Sequence, residues 1–418
     1  MSFSSLGLCP ALVNAVYELA YSEPSAVQGA AIPAILAGRD TLVSAQTGSG
    51  KTAAFCLPIL QSLINKTAIS ARPVQTLILV PTRELAAQVG ETLRTLAQHV
   101  SQPVKLAVLF GGVSINPQML HLRGGADIVI ATPGRLLDLV DQNAVKLSSV
   151  SCLVLDEADR LLDLGFSDEV SRLLALLPSQ RQNLFFSATI SAEVETLAQS
   201  LLHDPIRIEI ELNPISAPDI TQRAIAVDAN QRTQLLRHLI EHQKWSRVLV
   251  FVATKYAAEL VAVKLRRAGL NAEPFHGDLS QGKRSQVLMD FKASRVKVVI
   301  ATDVAARGID ISDLPVVVNY DLPRSSDDYT HRIGRTGRAG ESGVAVNFIC
   351  TDNANEAHFR LIEQRHGQKI IREVVVGFEP TKAANRETII GLDSNGGIKG
   401  KRPNKKDKLR ALASDANT

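Results

Sequence analysis

Two short segments in the first half of this 418-residue chain combine residue types and spacing suited to phosphate chemistry. The first is AQTGSGKT (45–52), which follows the apolar run TLVSA and precedes a stretch of helical character beginning AAFCLPILQSL. Gly48 and Gly50 would let backbone N–H groups turn toward phosphate oxygens, and a following helix adds the positive end of its dipole. Lys51 is then expected to reach the β/γ-phosphates and Thr52 to bind Mg²⁺. The whole loop, Ala45, Gln46, Thr47, Gly48, Ser49, Gly50, Lys51 and Thr52, becomes a nucleotide cradle with one departure: Ala45 stands where the general pattern has Gly. The second segment, CLVLDEAD (152–159), is an apolar strand ending in carboxylates. Ligands of parallel α/β sheets sit at the carboxyl ends of strands. That puts Asp156 in position to hold Mg²⁺ through water and Glu157 to orient and deprotonate an attacking water. A chance glycine loop, or an acid-rich helix start, would explain either segment alone. Together, and in this order, they favour an NTPase.

These loops need a rigid frame. Short β-branched runs recur, each followed by a longer stretch of helical period: TLVSA (41–45), TLILV (76–80), IVIA (128–131), CLVLD (152–156) and LFFSA (184–188). The pattern restarts with RVLVFV (247–252), VKVVIAT (296–302) and VVVNYD (316–321). Continuous apolar strands alternating with helices indicate parallel sheets covered on both faces, so the chain is expected to be α/β with two such domains. The expected divisions are 1–208, a linker at 209–220 around the proline-bearing NPISAPD, a second domain at 221–380, and a basic tail at 381–418. The tail, rich in Gly, Asn and Lys, is expected to be disordered.

Composition narrows the rest. Aromatics make up 4% of the chain, so the cores must be aliphatic. The formal charge is +4, and the segment from Glu379 onward, with nine Lys/Arg against five Asp/Glu, accounts for all of it. A polyanion on the folded part must therefore be held by a local groove, not by a global field. The tail either holds nucleic acid without sequence preference or only solubilises the chain end. Four widely spaced cysteines form no metal-ligand pair and no disulfide framework, which suits a reducing compartment such as a cytoplasm. No apolar run is long enough to span a membrane, and MSFSSLGLCP lacks the charged and apolar regions of a leader.

The order of motifs then resembles one family. AQTGSGKT, PTRELA (81–86), GG (111–112), TPGR (132–135), DEAD (156–159), SAT (187–189), ATDVAARGID (301–310) and HRIGRTGR (331–338) follow the sequence of the DEAD-box ATP-dependent RNA helicases, over residues 3 to about 380. The start MSFSSLGL and the segment FEP (378–380) are most similar to the bacterial RhlE-like subgroup.

The resemblance implies two tandem RecA-like domains and ATP as the nucleotide. The family's Q motif matches AYSEPSAVQ (20–28), with Gln28 reading the adenine edge and Ala20 in place of the usual Gly. Phe3 either packs near the base or belongs to a helix core. Ser187 and Thr189 would couple hydrolysis to unwinding. In HRIGRTGR, read as a helix start, Arg335 and Arg338 would reach the γ-phosphate as arginine fingers and His331 would bridge to the DEAD segment. Asp303 and Gly308 would meet ribose and phosphates. RNA would be held by Thr82, Arg83, Gly112, Thr132 and Arg135 on the first domain and by Gln281, Arg284 and Thr302 on the second. This set of hydroxyls, backbone donors and single arginines suits sugar–phosphate and 2′-OH recognition without base readout. The resemblance thus implies an RNA-dependent ATPase and helicase that separates short duplexes or remodels RNA–protein complexes, with ribosomal or RNA-decay proteins as partners. Two rivals stay open: a DNA-acting translocase of the wider superfamily, separable by comparing RNA and DNA stimulation, and an ATP-gated RNA clamp, against which Glu157, Arg335 and Arg338 argue.

Overall fold

The structure, a computed structural model, describes residues 2–19, 21–46, 48–64, 72–210, 220–306, 314–337, 342–350 and 353–381. Ala20, Thr47, Gly308, Arg338, most of the expected linker (211–219) and nearly all of the basic tail lie outside the described residues.

Two seven-stranded sheets carry the chain, and every pairing between their strands is parallel. The first contains β1 (Thr41–Ser44), β2 (Thr76–Leu79), β3 (Leu106–Leu109), β4 (Ile128–Ala131), β5 (Cys152–Leu155), β6 (Gln182–Ser187) and β7 (Ile206–Glu209). Its strands run in the order β3-β4-β2-β5-β6-β1-β7. The second contains β8 (Ile220–Val227), β9 (Val248–Val252), β10 (Ala272–Phe275), β11 (Val298–Thr302), β12 (Val316–Asn319), β13 (Gly343–Cys350) and β14 (Arg372–Glu373), in the order β10-β11-β9-β12-β13-β8-β14. Glu209 and Ile220, the two ends of the expected linker, are thus strand residues.

The central strands are buried along their whole length because helices cover both faces, which is why they read as unbroken apolar runs. Separate apolar clusters lie on the two faces of each sheet. In the first sheet, Val43, Ile78 and Val154 face one cluster while Leu42, Leu77 and Leu153 face the other. Most of the core is aliphatic, as composition requires, but the few phenylalanines are concentrated there. Phe55 and Phe186 meet edge-on at 5.2 Å, and Phe275, Phe291, Phe348 and Phe359 are fully buried.

Register decides what meets what. Ser44 pairs with Ser187 and Leu155 with Phe185, so β1, β6 and β5 end side by side at one sheet edge. The segments that follow them, AQTGSGKT, SAT and DEAD, must therefore converge. Leu79 pairs with Ala131 and Leu109 with Ala131, so β2, β4 and β3 deliver PTRELA, TPGR and GG to the other half of the same edge. Strand order alone thus gathers these segments into two groups at the two halves of one edge.

Candidate functional site

The loop after β1 turns at Gly48 (φ 82°) and Gly50 (φ 96°), both in the left-handed region. The backbone angle at Gly50 favours glycine, and a Cβ there would also come within 2.5 Å of Gln28 Nε2, forcing that side chain to shift. Lys51 opens the helix Lys51–Ile64 and is nearly buried. Its Nζ donates to the Ala45 carbonyl, closing the loop on itself. Burial pushes the Lys51 pKa down, and the carboxylates of Asp156, Glu157 and Asp159 oppose that shift. Ser49 Oγ donates to Gln46 O at 2.8 Å, and Thr52 follows Lys51 in the first helical turn.

Gln28 is joined to this loop. It is the third residue of the helix Ala26–Leu36, where it completes a capping box: Ser25 N donates to its Oε1 at 3.0 Å. Its Nε2 donates to Gly50 O at 3.2 Å. One N–H and one lone pair of the amide remain for a ligand. Phe3 is 1% exposed and sits edge-on to Tyr17 at 6.3 Å.

At the end of β5, Asp156 is 2% exposed, and its pKa rises to about 7, first because of burial and then because of the adjacent Glu157 charge, with Lys51 opposing. Glu157 adopts φ 50° and ψ 52° just ahead of the helix Ala158–Asp163. A left-handed β-unbranched residue at this point marks stored strain of the sort that collects at functional sites. Asp159 ties the DEAD segment to SAT: its Oδ2 accepts from both Thr189 N and Thr189 Oγ1 at 3.0 Å, while Ser187 Oγ accepts from Asp159 N at 3.3 Å and donates to Thr189 O at 2.7 Å.

The second sheet supplies the facing wall. His331, Arg332, Arg335, Asp303 and Asp328 line a small cavity together with Arg160 of the first sheet's lobe. The described part of this motif, 331–337, begins at the end of the helix Ser326–Ile333 and not, as expected, at a start; His331 is in its last turn and Gly334 caps it. Three consecutive residues of helical character before Gly334 were hidden behind the glycine-rich remainder. Burial is the first cause that lowers the His331 pKa, to about 4, and the Arg160 charge is the second. Arg335 is buried with 6% exposure.

Of the RNA candidates, Thr82 caps the helix Arg83–Ala97 by accepting from Leu85 N at 3.2 Å. Arg83 lies on Gly112, whose φ of 77° and lack of Cβ make room for the guanidinium. Thr132 precedes the helix Pro133–Asp141, and Arg135 donates to Val113 O at 2.8 Å while its Nε and Nη1 have no hydrogen-bond partner. Gln281 begins the helix Gln281–Lys292 with an unpartnered Oε1, and Thr302 ends β11. Arg284 has a partner on the protein itself. It is 3% exposed, stacks 4.6 Å over Phe275 and sets its Nε 2.7 Å from Glu84 Oε1 of the other lobe. The N–H direction misses the oxygen, so the contact is ionic more than a well-aligned hydrogen bond. A buried guanidinium needs a counter-charge, and Glu84 provides one.

Three residues of this site were missed in the sequence. Glu84 hides inside PTRELA as an ordinary helix-start acid. Arg332 lies within HRIGR and grips both oxygens of Asp303 (2.6 and 2.7 Å), Asn319 Oδ1 (2.9 Å) and Asp321 O (2.7 Å). Arg160 directly follows DEAD. A signal existed for each, a charge inside a motif, but burial is not written in the motif.

Comparison with known proteins agrees with this geometry. Residues 25–197 match the DEAD/DEAH box helicase family model and residues 231–340 the helicase conserved C-terminal domain. The chain is 41% identical over 386 residues to the ATP-dependent rRNA helicase rrp3 of Sclerotinia sclerotiorum, spanning 91% of this chain and 78% of that protein. It is 40% identical over 348 residues to the DEAD-box ATP-dependent RNA helicase RhpA of Helicobacter pylori, spanning 83% and 69%. The structure of S. cerevisiae Dbp5 bound to RNA and ADP BeF3 superposes with a TM-score of 0.79 at 31% identity, over 89% of this chain and 95% of that one. Both sheets take part in that likeness and are tandem RecA-like domains. The chain belongs to the DEAD-box ATP-dependent RNA helicases.

Proposed function

We propose the following division of labour for this ATP-dependent RNA helicase. ATP enters the loop after β1, and Lys51 exchanges the Ala45 carbonyl for the β/γ-phosphates. The remaining N–H and lone pair of Gln28 take the adenine edge. Glu157 accepts a proton from the water that attacks the γ-phosphorus as its bond to the leaving ADP oxygen breaks. Arg335, with Arg338, offsets the charge gathering on the transferred group, and His331 joins that wall to Asp159. Asp303 and Gly308 meet the ribose and phosphates. Ser187 and Thr189 carry the state of the DEAD carboxylates onward. Thr82, Arg83, Gly112, Thr132, Arg135, Gln281 and Thr302 hold the RNA backbone, while Arg284 acts on the RNA through its contact with Glu84.

The donor set fits Mg²⁺. No group of three or more His, Cys, Asp or Glu able to hold a metal occurs among the described residues. A hard ion held by one carboxylate, one hydroxyl and substrate phosphates needs no such group. Asp156 and Thr52 would hold the ion, and the raised Asp156 pKa fits a carboxylate awaiting a counter-charge. When bound, the ion neutralises charge on the β/γ-oxygens.

The observation that carries this reading is the meeting of Lys51, Asp156, Glu157 and Asp159 at adjoining strand ends, with His331 and Arg335 across from them. The domain limits 1–208 and 221–380, an RhlE-like placement, a cytoplasmic setting, ribosomal or RNA-decay protein partners and an RNA-holding tail belong to the same proposal. A Glu157→Gln variant tests its centre. It should retain ATP binding, followed by a fluorescent nucleotide, while RNA-stimulated turnover falls by about 10²–10⁴-fold, the range of general base catalysis. Unchanged turnover would remove Glu157 from the role.

A further inference from the structure

Arg160 is among the largest side chains fully buried in the molecule, with 2% exposure. Its Nη1 and Nη2 have no hydrogen-bond partner among the described residues. A buried guanidinium in that condition is costly unless a carboxylate offsets its charge. Asp303 gives both oxygens to Arg332. Asp328 is engaged with Ser325 at 2.9 Å. Asp159 gives Oδ2 to Thr189 and Oδ1 to the backbone of Arg160 itself. Glu157 is the one left: its Oε2 lies 3.6 Å from Arg160 Nε, its side chain is 8% exposed, and that oxygen has no hydrogen-bond partner.

We propose that Arg160 is a positioning residue for hydrolysis, acting through Glu157; this rests on Glu157 being the general base. Glu157 reaches its place from a left-handed backbone, so its own helix does not fix its side chain. Arg160, one turn on, aims the carboxylate. The same side chain lines one cavity together with His331, Asp328 and Asp303 of the second lobe. The carboxylate is thereby aimed in full only when that lobe is in place. Coupling of turnover to the two-lobed arrangement then has a route through Arg160 in addition to Arg335.

A double-mutant cycle on the full chain tests this, with single-turnover hydrolysis at saturating ATP and RNA measured for the parent, Glu157→Gln, Arg160→Met and the double variant. Arg160→Met should slow hydrolysis roughly 10- to 100-fold, the scale of a misplaced catalytic group. The double variant should match Glu157→Gln to within about twofold, because a residue acting through another adds nothing once the other is gone. Half-saturating ATP and RNA should move less than about threefold, and Arg160→Lys should recover part of the rate. If the two losses multiply, or Arg160→Met turns over like the parent, the proposal falls. If Glu157→Gln itself turns over normally, the general-base reading fails instead, a separate result. If Arg160→Met does not fold, as judged by its melting temperature, the cycle run with Arg160→Lys must show the same non-additivity with a smaller loss, or the proposal falls.

Discussion

His331 shows how much a single side chain's surroundings add to its type. In the sequence it is one histidine in a basic stretch. In the structure it faces Arg160, Arg335, Asp159 and Asp328, and burial holds its pKa near 4. A base whose folded pKa is depressed binds fewer protons in the native state than in the unfolded chain. Its contribution to stability is present above the unfolded value of about 6.5 and is lost as pH falls toward 4. Between pH 7.5 and 5.0 the loss amounts to at most about 2 kcal/mol. The parent should therefore lose more stability over that interval than His331→Gln, as followed by urea midpoints at the two pH values. Parallel losses in the two proteins would show that the imidazole does not titrate across this window. Other residues were more legible. Lys51 and the glycines around it were named from spacing alone because a phosphate cradle tolerates few alternatives. Arg332 was not, since nothing about a charge beside His331 says that it is 2% exposed and spent on Asp303.

At the level of elements, the central strands announce themselves because burial on both faces leaves them no polar positions. β2, β4, β5, β9, β11 and β12 were all visible as apolar runs. The strands that were not are mostly those at or near the sheet margins. β10 carries Pro274 at an edge, where a missing N–H costs little. β7 alternates as an outer strand does, β8 opens with polar ITQR, and β14 has two residues. Sequence gave no strand order either, and the order is what brings SAT beside DEAD. β6 lies between β5 and β1, so Ser187 and Thr189 receive Asp159 at the seam. The Thr189 hydroxyl, bonded to a carboxylate, contributes about 1.5–3 kcal/mol and the Ser187 hydroxyl about 1 kcal/mol, less than the roughly 5–15 kcal/mol that holds a domain folded. The seam is expected to matter for coupling more than for stability. Ser187→Ala combined with Thr189→Ala should leave ATP turnover within about threefold of the parent while duplex unwinding falls at least about tenfold, a difference of roughly 1.4 kcal/mol in coupling. Measuring phosphate release and strand separation on the same RNA duplex decides it; equal losses in both would make the seam part of the hydrolytic site.

For the molecule as a whole, the contact between Glu84 and Arg284 links PTRELA to the helix Gln281–Lys292 across the two lobes. Both side chains are almost fully buried, 8% and 4% exposed. A buried pair contributes little net stability against an apolar substitute, but removing one partner leaves an uncompensated charge and costs about 3–5 kcal/mol. That cost falls on the arrangement in which the lobes touch, because an open molecule would hydrate each charge. Glu84→Gln should therefore shift the population away from contact without unfolding either lobe. Since ligands move a two-state equilibrium only through differential affinity, the shift should appear as lost cooperativity between ATP and RNA. RNA titrations with and without a non-hydrolysable ATP analogue report it. The parent should bind RNA more tightly with the analogue, and Glu84→Gln should lose at least about tenfold of that gain, equivalent to 1.4 kcal/mol, while its analogue-free affinity stays within about threefold. If Arg284 instead contacts RNA directly, Arg284→Gln will weaken RNA binding equally with and without the analogue. Glu84→Gln will then do little, and the ion pair will be a consequence of closure with no hand in it.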